Sequence, residues 1–404
     1  MFTRTHRVAM TSIALAIASP STADNVVVTI DESTFLQRVA TAPHVRALDD
    51  RARAAHAAVG AAAVLPNPTL SYEREAVPSL DAYDDFARLG WTLDLAGRRG
   101  LAGGAARAGA DAERASVDHA VLALQLDARL AFLDAVYTRE HLARLDDART
   151  ALQTIVDSLR TRSAQGDASS YDFDRAALEL ELLDDERTTV RRELAIAQLR
   201  LGGFVGKPTT PHDAIGALTL PRPLDGPLVP ARSDVLAARA RERQADRELA
   251  SARRTWIPRF DLVVGMKAST SGPADGIGYV VGIGGDLPLF DRGGAHAAKA
   301  RAEVKRWRSE ADALALTATA EVEQAHRELA LRIEQAEAYA AGPAKRAGDL
   351  QLRATVAYRE GDRSILELLD VQRTAREALV HVLELAYLAR RAELGLWRAL
   401  GRTP

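Results

Sequence analysis

The sequence has no cysteine and only three methionines. Without thiols there are no disulfides, thiolate metal sites or cysteine nucleophiles, and no lipid can be attached through an N-terminal cysteine. So few thioethers cannot form a relay of soft ligands for monovalent copper. Nine histidines are scattered with no His-x-His or His-x-x-x-His pair to chelate a metal, so His119, His141, His326 and His381 read as residues of a helix surface or of the face lining a tunnel. The formal charge of −2 leaves no basic field for nucleic acid. No Ser-His-Asp spacing or paired acid and base marks an enzyme, and no cofactor motif stands out. Gly276-Ile277-Gly278 and Gly282-Ile283-Gly284-Gly285 lack the Gly-Lys-Ser/Thr ending of a phosphate loop and lie in strand-like alternation. Past the first twenty residues no apolar run is long enough to span a bilayer as a helix, so strands would have to make any crossing.

Alanine, leucine, arginine and glutamate dominate, while aromatics make up 5%. That composition suits long helices packed through small residues. Arg4 and Arg7 precede an apolar run from Val8 to Ala18, and the small residues Ser21-Thr22-Ala23 follow. This is the pattern of a cleaved secretory signal, residues 1–23.

The central feature is a strand that feeds a very long helix. Leu89, Trp91, Leu93 and Leu95 alternate with Arg88, Gly90, Thr92 and Asp94, a period of two with one apolar face. After Gly97-Arg98-Arg99-Gly100 the period becomes helical and holds until Gly166. Leu145, Ala148, Leu152, Ile155 and Leu159 keep the three-four spacing of a coiled-coil seam. Such a rod, at 1.5 Å per residue, is about 100 Å long.

The remaining chain carries this arrangement twice. Residues 31–64 predict a helix that Leu65-Pro66-Asn67-Pro68 stops, followed by a strand over Thr69–Val77, a turn at Pro78–Asp81, the strand and rod above, and a helix from Ser170 to Leu201. A proline-rich linker, residues 207–232, separates the first unit, 24–206, from the second, 233–404. In the second, a helix reaches Thr255 and Ile257-Pro258 stops it. Phe260, Leu262, Val264 and Met266 alternate as a strand, the loop Ala268–Gly278 follows, and Tyr279, Val281, Ile283, Leu287 and Leu289 form the next strand. Asp291-Arg292-Gly293-Gly294 leads into a second rod that ends at Glu360, and a final helix reaches Leu400. Gly97 and Gly166 stand 69 positions apart, as do Arg292 and Gly361. Gly342-Pro343 has no counterpart in the first rod and predicts a kink.

Each strand is about as long as one that crosses a bilayer at a tilt. Four strands cannot close, since the smallest single-chain barrels have eight, so copies must complete the cylinder. Three copies give twelve strands, with the rods bundled around the same axis. Trp91 and Trp256 suit either an interfacial belt or ordinary packing. A soluble periplasmic coiled-coil adaptor without a pore is the alternative class, but it calls for one hairpin with flanking β domains rather than two strand-pair-and-rod units.

Three segments resemble the TolC-type outer-membrane efflux proteins, and the branch serving heavy-metal and drug pumps in particular. They are Leu65-Pro66-Asn67-Pro68-Thr69-Leu70, Leu93-Asp94-Leu95-Ala96-Gly97-Arg98-Arg99, and the run Tyr358-Arg359-Glu360-Gly361-Asp362-Arg363-Ser364-Ile365-Leu366-Glu367-Leu368-Leu369-Asp370-Val371-Gln372. The resemblance implies a mainly helical homotrimer with a 12-stranded barrel in outer-membrane lipid. It also implies a helical periplasmic tunnel docked onto an adaptor (a membrane fusion protein) and an inner-membrane RND-type pump. By the same resemblance Tyr171, Asp172, Tyr358 and Arg363 form a latch at the periplasmic mouth, while Glu367 and Asp370 form a constriction ring that draws cations into a narrow pore. Glu367 and Asp370 stand three apart on a helix, a spacing that equally suits a solvated face.

Overall fold

The computed structural model describes residues 27–77, 82–224, 228–270 and 275–404. The signal segment, the turn Pro78–Asp81 and the centre of the loop Ala268–Gly278 lie outside them.

In place of one helix over 31–64 the chain forms β1 (Val28–Asp31), α1 (Glu32–Ala40) and α2 (Pro43–Ala63). Asp31 caps α1 by accepting the Thr34 N–H at 3.0 Å. Pro43 opens α2, where its missing N–H costs nothing and its fixed φ suits a helix start. The strands β2 (Thr69–Val77) and β3 (Ala82–Leu93) follow, with β3 beginning earlier than its alternation indicates and stopping at Leu93 rather than Leu95. The rod α3 (Arg98–Gln165) is 68 residues long. Asp94 starts it by accepting the backbone N–H groups of Arg98 (3.1 Å) and Arg99 (2.7 Å).

Helix α4 (Ser170–Phe204) continues past Leu201, where the sequence pattern ends it, and through Gly202-Gly203. Gly202 serves close approach instead: a Cβ there would overlap the carbonyl oxygens of Thr210 and Lys207. The segment read as a linker is partly built into the fold. Its strand β4 (His212–Ile215) pairs in parallel with β1, and Leu220, Leu224 and Leu228 pack against a helical core. This β1–β4 clasp covers Phe35, Val39, Phe132, Val136 and Leu201, a core midway along α3.

The second half runs α5 (Ser233–Ala252), β5 (Arg259–Thr270), β6 (Gly276–Asp286), α6 (Gly294–Tyr339), a π-turn (Ala340–Ala344), α7 (Lys345–Glu360) and α8 (Ile365–Leu400). The π-turn is where Gly342-Pro343 predicts a kink. Proline offers no N–H to the Tyr339 carbonyl, and a single widened turn absorbs that loss while the helix runs on. The helices nearest the two long-helix ends are laid side by side in the order α4–α3–α8–α7, because α3 packs on both α4 and α8 and α7 packs on α8. Leu145, Leu152, Val156, Leu159, Leu183, Ile365, Leu368 and Leu369 form the core that joins α3, α4 and α8.

Candidate functional site

Two regions at opposite ends of the rods carry the features that need explaining: an exposed four-stranded sheet and a pair of hairpin turns.

The sheet has the order β2–β3–β5–β6, every neighbour antiparallel. Its register sorts residues into two faces. Leu70, Leu89, Val264 and Val281 stand in one rung, Tyr72, Ala87, Met266 and Tyr279 in the next, and Trp91, Leu262 and Ile283 in a third on the same face. This face is open: Leu70 is 81% exposed, Tyr279 88% and Ile283 71%. The other face carries Ser71, Arg88, Gly265 and Val280, then Glu73, Phe86, Lys267 and Gly278. There Arg88 pairs with Glu73 at 2.5 Å, Lys267 with Asp84 at 2.7 Å, and both cations lie over the Phe86 ring. The apolar face ends at a charged rung, where Arg74 makes a two-pronged pair with Asp85 (2.6 and 2.8 Å). An apolar face this large, uncovered and bounded by charge, is a surface made for lipid or for another protein. Both outer strands, β2 and β6, have a single partner strand among the described residues.

At the far end, two turns share one geometry. Helix α3 ends on Gly166 (φ 82°) and α7 on Gly361 (φ 84°), left-handed positions that glycine occupies without strain. The Asp167 N–H returns to the Arg162 carbonyl at 2.8 Å, and the Asp362 N–H to the Ala357 carbonyl at 2.9 Å. Three residues past each glycine a serine caps the following helix: Ser169 accepts from the Tyr171 N–H, and Ser364 from the Glu367 N–H. Asp172 and Glu367 therefore occupy the same third helical position after their caps.

At the second turn the carboxylate is fully engaged. Glu367 accepts the Ser364 N–H at 3.1 Å, completing a reciprocal capping box, and also accepts from Arg363 Nη1 at 3.0 Å. The Ser364 N–H, then Arg363, hold the Glu367 carboxyl below the usual carboxylate value. The spacing Ser364-x-x-Glu367 announces this box in the sequence, a signal the reading of Glu367 as a bare ring carboxylate passed over. Asp370 is exposed and pairs with Arg373 at 2.8 Å. Tyr358 packs partly on the α3–α4–α8 core, and its hydroxyl accepts from Arg162 Nη1 at 3.5 Å. Tyr171 is exposed, and Asp172 is half-buried. Among the described residues of one copy, no hydrogen bond joins Tyr358 to Asp172, or Arg363 to the Tyr171-Asp172 segment.

Midway between these ends, Tyr387 stacks on Tyr137 at 4.6 Å and donates to Asp134 at 2.8 Å. Burial first, then that bond, push the Tyr387 hydroxyl up to about 12. Nothing in the sequence pattern pointed to this pair.

Among the described residues no helix is long and apolar enough to cross a membrane. The fold is that of known outer-membrane channels. The chain superposes on the Campylobacter jejuni CmeC outer membrane channel with a TM-score of 0.77 at 14% identity, covering 98% of this chain and 94% of that one. It matches the outer membrane protein VceC of Vibrio cholerae with a TM-score of 0.74 at 18% identity, over 92% and 96% of the two chains. The open state of the Neisseria gonorrhoeae MtrE channel gives 0.73 at 17% identity, over 92% and 89%. A search of curated proteins by sequence finds no match. Residues 230–402 match the family described as outer membrane efflux protein.

Proposed function

We propose that the protein is the outer-membrane duct of a tripartite efflux system. Three copies complete a 12-stranded barrel, the second unit repeating the first, and their rods continue the lumen across the periplasm. An adaptor and an inner-membrane RND-type pump dock at the far end and supply the energy. The cargo is metal ions or small toxic compounds. In this reading Tyr171, Asp172, Tyr358 and Arg363 link neighbouring hairpins when the mouth is closed, and Asp370 with Glu367 lines its constriction.

The observation that carries the reading is the open sheet: an apolar face turned outward, a polar and glycine-lined face behind it, and two edges with no second partner among the described residues. Bare edges of that length invite pairing with another strand, and barrel closure removes them. Like charges repeated around a three-fold axis would favour cations at the mouth. The test is the mass of the detergent-extracted protein by light scattering, together with conductance in planar bilayers. A species of three chains that conducts supports the duct; a stable monomer soluble without detergent overturns it.

A further inference from the structure

Trp256 lies outside every strand and helix, and it is 60% exposed. It stands in one of the four connections that join strands to helices at the rod-side end of the sheet, 64–68, 94–97, 253–258 and 287–293. Three of these connections touch. Arg98, the first residue of α3, donates from Nη2 to the Ile257 carbonyl at 2.9 Å, and Arg254 donates from Nη1 to the Ala96 carbonyl at 2.8 Å. Gly293 approaches so closely that a Cβ there would lie 2.6 Å from both the Ala252 carbonyl oxygen and Thr255. Together they make a collar just below the last paired rung of the open face, where Leu93, Phe260 and Gly285 stand side by side.

The collar carries the apolar face past the strands. Leu95 and Leu287 stand two positions beyond that rung, which keeps the alternation, and both are exposed. Leu289 is exposed as well, and Phe290 fully so. The charge here is one-sided. Counting each connection with the two residues on either side of it, there are six arginines and three aspartates. Every one of those aspartates is engaged. Asp94 accepts the Arg98 and Arg99 N–H groups, Asp286 pairs with Arg259 at 3.3 Å, and Asp291 accepts the Gly293 N–H at 2.8 Å and lies 3.6 Å from His296. Arg99, Arg253 and Arg292 have no side-chain partner among the described residues, and Arg253 and Arg292 are exposed. Those two adjoin in sequence the close approach of Gly293 to Ala252.

We infer that this collar binds the headgroup of an anionic phospholipid. Arg253 and Arg292 hold the phosphate, Arg99 adds to the positive field from its half-buried place, and the acyl chains lie on Trp256, Leu287 and Phe290. An indole and a phenyl ring beside arginines with no counter-charge suit the level of a bilayer where chains end and headgroups begin. Each guanidinium near such a surface favours an anionic lipid by about 5-fold. A second copy presenting its own collar offers no match, because the carboxylates there are already taken. The inference rests on the reading of the sheet as membrane-inserted; it adds which lipid the protein selects and at which end of the strands.

The test uses the full-length protein in phosphatidylcholine vesicles and follows the quenching of its tryptophans by brominated phospholipid. Brominated phosphatidylglycerol is expected to quench more than brominated phosphatidylcholine at equal mole fraction. That excess should vanish in Trp256→Phe, where Trp91 still reports insertion of the sheet. Arg253→Gln combined with Arg292→Gln should lower the relative association constant for phosphatidylglycerol by roughly 30-fold. Added salt should lower it in the wild type as well. Equal quenching of the wild type by the two lipids overturns the proposal. So does a Trp256→Phe variant quenched as the wild type is, because protein then covers the collar. If the double arginine variant does not insert, the salt series on the wild type decides, and an excess that salt leaves unmoved overturns the headgroup contact. The two readings fail separately: quenching of Trp91 by both lipids with no anionic excess leaves the duct intact, and no quenching of any tryptophan removes both.

Discussion

Two adjacent positions on β5 separate the membrane-facing reading of the sheet from every alternative. Val264 lies in the rung with Leu89 and Val281, with one apolar rung toward the Arg74–Asp85 boundary and two toward the rods. Val263 points the other way, between Gly90 and Gly282, neither of which fills the space beside it. If the first face meets lipid, Val264→Arg places a guanidinium near the middle of the apolar band at a cost of about 2–4 kcal/mol. That is a loss of roughly 30- to 700-fold in the folded-to-unfolded ratio. Val263→Arg reaches a polar lumen with glycine on both sides and costs within about 1 kcal/mol. The assay is urea unfolding of vesicle-inserted protein, read by tryptophan fluorescence and by the heat-modified band on a gel. The argument is about the difference between neighbours, so expression level does not enter. Equal losses at 263 and 264, or the larger loss at 263, refute the assignment of faces.

Other substitutions test the rods and the turns. Gly166→Ala is expected to cost about 1–2 kcal/mol, the penalty of a side chain in the left-handed region with open space around it. Gly293→Ala starts from a similar φ of 80° but puts its Cβ 2.6 Å from the Ala252 carbonyl oxygen, so thermal unfolding followed by circular dichroism should show the larger drop there. Ser364→Ala removes the cap of α8 and should cost about 1 kcal/mol by the same measurement. Because the Glu367 carboxyl is held low, its contribution is complete above the ordinary carboxylate range and is lost as pH falls through the lowered value. Hydrogen-exchange protection in the first turn of α8, taken relative to the intrinsic rate at each pH, should therefore fall on acidification in the wild type, and Glu367→Gln should flatten that response. Tyr387→Phe keeps the stack on Tyr137 and loses one hydrogen bond, about 0.5–1.5 kcal/mol, whereas Tyr387→Ala should lose about 3–5 kcal/mol. The raised tyrosine favours its neutral form in the fold, so its contribution holds below pH 10.0 and fades as pH rises through about 12, which near-ultraviolet absorbance can follow. Tyr358→Phe combined with Arg363→Ala should raise bilayer conductance; an unchanged conductance removes those two residues from the latch.

Periodicity made most of the architecture readable. The alternation of Phe260, Leu262, Val264 and Met266 put those four on one face, and the register agrees. The αL glycines at 166 and 361 were readable as helix ends because no other residue sits there without strain. What was not readable has local causes. Pro43 was absorbed into one long helical pattern, although a proline is as welcome at the first position of a new helix as it is unwelcome inside an old one. Gly202-Gly203 resembled a stop because the sequence cannot show the carbonyls of Lys207 and Thr210 folding back onto the helix. His212, Ala214 and the leucines beyond them lie in a proline-rich stretch with no usable period, so neither the β1–β4 clasp nor its packing left a signal.

The site was harder to read than the fold, for a physical reason. Within one copy, Arg363 reaches for Glu367 and Tyr358 for Arg162, because a side chain at a surface takes the nearest opposite partner. On the proposed reading, in which these residues link neighbouring copies, they keep such local partners until the neighbour arrives. The sheet and the row of rods show the same incompleteness at two heights. Among the described residues strands β2 and β6 each have a single partner strand, and helices α4 and α7 each carry an exposed apolar stripe. An open sheet can be closed by any strand of the right length, since backbone hydrogen bonds are alike along every chain. An exposed stripe of leucines accepts fewer faces, because a polar partner leaves the leucines wet. In such an arrangement the barrel supplies closure and the rods supply choice of partner.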